Sequence, residues 1–123
     1  MNTNATFANQ LEQRLISFAA SILSLSSKLP RNAQGRHICS QILRCGTAAA
    51  ANYGEARGAE SRADFIHKLK IAFKELNETA IWLEMIAQTS LLPASTVASI
   101  VAENRELCRI IASSIKTARR GEQ

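Results

Sequence analysis

The sequence holds little from which a sheet could be built. Six of its 123 residues are aromatic, and a β-sandwich or barrel would want more Val, Thr, Tyr and turn residues. Proline occurs twice and glycine five times, against a hydrophobic content of 46%. That balance excludes a disordered chain. The three cysteines, Cys39, Cys45 and Cys108, are odd in number and form no C-x-x-C. Neither a disulfide framework nor a zinc knuckle is implied, and the three read as small buried hydrophobes in a reducing, cytoplasmic compartment.

Long apolar runs are missing too. The stretch from Leu15 to Ser27 is apolar and Ser-rich, like the core of a signal peptide. Glu12 and Arg14 precede it, no positive cluster stands before them, and it is too short to span a bilayer. An amphipathic helix is expected there, with no membrane role. Catalytic constellations are equally scarce. No Glu-x-x-His occurs to build a di-metal bundle site, and the one Asp-x-x-His, at Asp64 and His67, falls at a helix start where Asp64 serves as a cap partner. His37 and Cys39 stand two apart on a helix and point in different directions. No Gly-rich phosphate loop is present, and Gly54 and Gly58 read as turn or packing residues. No enzyme, metal or cofactor is expected.

What the sequence has is helical periodicity. A first helix over about residues 6–28 carries Phe7, Leu11, Leu15, Phe18, Ile22 and Leu25 on one face and stops at Pro30. A second, over about residues 35–56, carries the small-residue stripe Ile38, Ile42, Cys45, Ala49, Asn52 and Ala56. Gly58 is expected to end it in the left-handed conformation, and Ser61 to cap the third helix. That helix, over residues 62–89, has the stripe Phe65, Leu69, Ala72, Leu76, Ala80, Leu83 and Ala87. Ile66, Phe73, Ile81 and Trp82 fall beside or away from this stripe, as subunit contacts would. Pro93 opens a fourth helix to about residue 118, with Val97, Val101, Asn104, Cys108, Ile111 and Ile115 in heptad spacing. The expected fold is all-α: one domain over residues 1–123, an antiparallel up-down-up-down four-helix bundle.

Net charge is +5 and is unevenly placed. Residues 28–74 carry net +6, residues 75–106 net −4 and residues 107–123 net +3. In an antiparallel bundle the turn between the second and third helices lies beside the end of the fourth. That pole would collect Arg57, Arg62, Lys68, Lys70, Lys116, Arg119 and Arg120, a candidate phosphate-binding surface. A solvated face with helix-end cations is the competing explanation. No aromatic residue is expected among these cations, so base stacking is not indicated and binding should be to the backbone, salt-sensitive and weakly selective.

The second and third helices also resemble a known family. The resemblance is carried by Gln41 to Thr47, Ala51 to Ala56, Ser61 to Leu69 and Glu75 to Glu84, which fit a Q-x-x-R-x-x-x-S-x-x-x-N-x-x-E segment, then F-x-x-x-L and E-x-x-E-x-x-x-W/L-L. Gln41, Arg44, Asn52, Glu55, Phe65, Leu69, Glu75 and Glu78 match; Ala48 departs from a position that often holds Ser. These segments resemble the bacterial four-helix bundle proteins, also described as 23S rRNA intervening-sequence proteins. The resemblance implies a ring-shaped homopentamer. It also implies kinship with the accessory variability determinant of diversity-generating retroelements, which binds nucleic acid and a reverse transcriptase. Arg44, Asn52, Glu55, Glu75 and Glu78, with Phe73 and Trp82, are then expected to fix helix register or join subunits. RNA or DNA, a nucleoprotein such as a reverse transcriptase, and further copies of the chain are the expected partners. A protein-interaction scaffold without a nucleic-acid role is the alternative.

Overall fold

The computed structural model describes residues 3–121, and these form four helices: α1 (Thr3–Ser26), α2 (Ala33–Arg57), α3 (Arg62–Thr89) and α4 (Ala94–Arg120). Each helix packs on the next, α1 also touches α4, and the α1–α4 seam is the loosest of the four. No strand occurs among the described residues. None of the described helices is long and apolar enough to cross a membrane.

Local chemistry explains the boundaries. Asn32 starts α2 two residues earlier than periodicity predicts, because its Oδ1 accepts from the Gly35 amide at 2.8 Å. Ser61 caps α3 as expected, accepting from the Asp64 amide at 3.1 Å. Gly58 does not adopt the left-handed conformation; its φ is −96°. The turn is closed instead by Gly58 N donating to Glu55 O at 3.1 Å and Ala59 N to Ala56 O at 3.0 Å. Among the described residues the left-handed one is Ser90, φ 54°, at the end of α3. Pro93 is the N-cap of α4 rather than its first helical residue.

The α1 stripe is buried from Leu11 to Leu25, but Phe7 is 50% exposed, because the stretch of seam beside it is lined by alanines and hydroxyl residues that leave it uncovered. On α2 the inner position belongs to Tyr53, not Asn52. The ring offers more apolar area to bury, and the amide is satisfied locally, Asn52 Nδ2 donating to Ala48 O at 2.9 Å. On α3, Ile66, Thr79 and Ile86 take the core places predicted for Phe65, Ala80 and Ala87. Isoleucine buries more than alanine, and Thr79 costs little because its hydroxyl donates to Glu75 O at 2.8 Å. On α4, Leu107 is buried while Val101 and Cys108 are half-buried. Asn104 lies fully inside, its Nδ2 donating to Leu76 O of α3 at 3.2 Å.

The small-residue stripe on α2 does what small residues permit. A Cβ built on Gly46 would stand 2.7 Å from Ile22 Cγ2 and 2.9 Å from its Cγ1, so α1 and α2 approach closely there. Gly46→Ala is expected to cost about 1–3 kcal/mol by overpacking, despite alanine's better helix propensity. In an Ile22→Ala background the same change should cost clearly less. Urea denaturation of the four-member cycle checks this; additive effects would contradict the close approach.

Candidate nucleic-acid interface at the turn between α2 and α3

The seven basic residues predicted for one pole divide into two groups. Arg57 pairs with Glu12 at 3.3 Å and Lys68 with Glu55 at 3.1 Å. Arg62, Lys70, Lys116, Arg119 and Arg120 are exposed and make no ion pair among the described residues. Arg62 opens α3 and lies against the end of α4: its Nη1 occupies the space a Cβ on Gly121 would take. Arg119 and Arg120 stand in that last turn of α4. Arg57, Arg62 and Phe65 share one depression with Thr117 and Ala118. The fold therefore brings Arg57 and Arg62 together beside the α4 end, while Lys68 and Lys70 line neither this depression nor the cleft next to it.

That cleft, of about 820 Å³, follows the α1–α4 seam at the same end of the molecule. Phe7, Tyr53, Phe65 and Ile110 give it apolar walls, and Arg57 and Arg109 stand among them. The expectation that no aromatic residue accompanies the cations is thus incorrect. The three rings come from three helices, so no single stretch of sequence displays the group. Phe65 between Arg62 and Lys68, and Tyr53 one turn before Arg57, were the available signals. Arg109 was also missed; it is paired with Glu106 at 3.0 Å and is largely exposed.

The residues expected to set register or join subunits form a smaller network than predicted. Arg44 Nη1 lies 3.3 Å from Glu75 Oε2, and Arg44 Nη2 also donates to Glu78. Trp82 Nε1 donates to Glu78 at 3.1 Å, and the His37 ring meets Trp82 edge-on at 5.7 Å. Glu75 and Glu78 thus face α2. Glu55 and Asn52 stand apart from this network, bonded to Lys68 and Ala48. Phe73 and Trp82 are half-buried against the protein's own core; among the described residues the large apolar side chains left exposed are Phe7, Ile16, Leu23, Ile81 and Met85. Cys45 is buried, Cys39 and Cys108 half-buried, and all three are free thiols. Burial pushes the Cys45 and Cys108 thiols up, which keeps them protonated and poorly nucleophilic. Among the described residues no group of three or more His, Cys, Asp or Glu is placed to hold a metal ion.

Residues 8–113 match the family described as 23S rRNA-intervening sequence protein. A crystal structure from Bacteroides thetaiotaomicron, at 1.70 Å resolution, superposes with a TM-score of 0.83 at 38% sequence identity, covering 89% of this chain and 97% of that one. It is described as a protein with unknown function from the S23 ribosomal protein family. No curated protein matches this chain.

The Arg44 pair, then the Trp82 hydrogen bond, hold the Glu78 carboxyl below its ordinary range. Its contribution to stability is therefore present above the unfolded carboxylate pKa of about 4.3 and is lost as pH falls through the lower folded value. The stability gap between wild type and Glu78→Gln should be widest near neutral pH and close in acid. Urea midpoints across that range measure it; a gap independent of pH would contradict the pairing.

Proposed function

The chain belongs to the 23S rRNA-intervening sequence protein family, and from that premise we propose that it is a non-enzymatic, cytoplasmic nucleic-acid-binding accessory protein. The observation that carries this reading is the group of unpaired arginines where α3 begins and α4 ends. Arg62 lies against the end of α4, whose last turn carries Arg119 and Arg120, and among the described residues none of the three makes an ion pair. Guanidinium groups suit phosphate because their planar N–H fork matches its oxygens. Backbone contacts of this kind bind RNA or DNA without reading sequence.

The helices are taken to run antiparallel, up-down-up-down. Glu12 near the start of α1 pairs with Arg57 at the end of α2, and Glu55 near that end pairs with Lys68 near the start of α3. Loops of a few residues favour the same arrangement. The assembly is taken to be a ring of identical subunits, the homopentamer that the family resemblance implies. Ile16 and Leu23 are exposed on α1, Ile81 and Met85 on α3, and these two helices are not neighbours in the packing. Two different apolar faces on non-adjacent helices suit head-to-tail association, which gives a ring where the rotation between subunits closes. Repetition around such a ring would multiply the basic pole. A nucleoprotein, a reverse transcriptase among them, fits as a further partner.

A scaffold without nucleic acid is the second reading, and the same four exposed apolar side chains favour it. Binding of generic RNA and DNA at two salt concentrations separates the two. On the first reading affinity falls steeply with salt. Neutralising Arg62, Arg119 and Arg120 to Gln should weaken binding for every sequence alike. The log–log salt slope should shrink by about 0.7–0.9 for each phosphate no longer neutralised. Unchanged affinity in that variant would overturn the assignment of the patch, and no binding at low salt would favour the scaffold.

A further inference from the structure

The cleft on the α1–α4 seam has a chemistry that phosphate contacts alone do not need. It is walled by Phe7, Tyr53 and Phe65, and no acidic residue lines it. The depression holding Arg62 shares Arg57, Phe65, Thr117 and Ala118 with it, so the two are continuous. Beyond its far end a third depression shares Phe7 and Ile110 and includes Arg14, which is held by Glu103 through two hydrogen bonds of 2.8 and 2.9 Å. Through these shared residues the three depressions adjoin as one trough, with Arg62 toward one end, Arg57 and Arg109 beside the aromatic rings, and the Glu103-paired Arg14 toward the other.

Tyr53 supplies a second, independent sign. The residue is 3% exposed, and among the described residues its hydroxyl neither donates nor accepts a hydrogen bond. Among the described residues no fully buried side-chain oxygen or nitrogen lacks a partner, so this hydroxyl keeps some access to solvent, and Tyr53 lines the cleft. A polar group held in an apolar wall and left without a protein partner is what a ligand-binding pocket offers for orientation. The pairs that occupy Arg57 and Arg109 do not block the site. Each is made through a single guanidinium nitrogen at a partly exposed position, and such pairs exchange at a cost of about 0–1 kcal/mol.

We propose that the trough is a binding site for single-stranded nucleic acid. An unpaired base enters the cleft against Phe7 and Phe65, a polar edge of the base meets the Tyr53 hydroxyl, and the flanking phosphates lie on Arg57, Arg109 and Arg62. Flat apolar groups spaced along a polyanion match rings spaced among cations, which is the general recipe for single-strand recognition. A duplex cannot use the cleft, because its bases are stacked inside. This inference rests on the nucleic-acid reading above and narrows it to unpaired strands.

The test measures anisotropy of labelled 12-nucleotide probes on the full chain at low salt: a single strand, the same strand in a duplex, and an abasic strand of equal length. The wild type should prefer the single strand over the other two. Phe7→Ala removes an exposed ring and does not open the core; it should weaken single-strand binding about five- to a hundredfold and leave the duplex unchanged. Tyr53→Phe keeps the packing and should weaken the single strand alone. Binding of no probe by the wild type would overturn both this inference and the reading it rests on. Equal affinity for the intact and abasic strands, or an unaltered single-strand affinity in Phe7→Ala, would overturn the cleft alone and leave the basic patch standing.

Discussion

One buried amide governs how α4 is turned about its own axis. Asn104 is fully enclosed, donates to the Leu76 carbonyl of α3, and its Oδ1 lies 3.7 Å from the Cys108 thiol. Rotating α4 by one residue would carry this amide away from its acceptor, and an unsatisfied buried polar group costs about 1–3 kcal/mol. The aliphatic residues around it could repack with smaller penalties. The amide therefore acts as a register pin between α3 and α4.

From that pin the site follows. With Asn104 inside, Leu107, Ile111 and Ile115 also point to the core, and Ile110, Ser113, Ser114 and Thr117 fall on the α1 side. Those seam residues are mostly short, as are Ala5 and Ala8 opposite them, so α1 and α4 meet loosely and a cleft remains. The tight approach lies elsewhere, where Gly46 admits Ile22 against α2. Close packing on one seam and open packing on another are both consequences of where small side chains fall in the helical period. The charged residues then dress the open end: Arg57 reaches it from α2, Arg62 from α3 and Arg109 from α4.

Much of the fold was legible in the sequence. Where one face holds large aliphatics and the others do not, as from Leu11 to Leu25, periodicity alone gives the core. It failed on α3, because Phe65 and Ile66, or Ile86 and Ala87, are adjacent and spacing cannot decide between neighbours; apolar area favours Ile86 over Ala87, whereas Phe65, the larger of its pair, lies in the cleft wall and leaves the core place to Ile66. It failed at Asn52 for a related reason, Tyr53 having more to bury one position on. The site was legible only in part. Basic residues at helix ends can be placed from chain order, but Glu12 and Arg57 are 45 positions apart, and their pairing has no local signature. The aromatic wall left only fragments in the sequence, Phe65 near Arg62 and Tyr53 one turn before Arg57, because each of its rings belongs to a different helix.

The most direct measurement is photo-crosslinking of the full protein to a uridine-rich single strand, with the adducts located by peptide mass spectrometry. Adducts are expected at Phe7, Phe65 and Tyr53 and in peptides that carry Arg62 and Arg119. Adducts confined to the outer faces of α1 or α3, around Leu23 or Ile81, would contradict a nucleic-acid site at the open end of the α1–α4 seam.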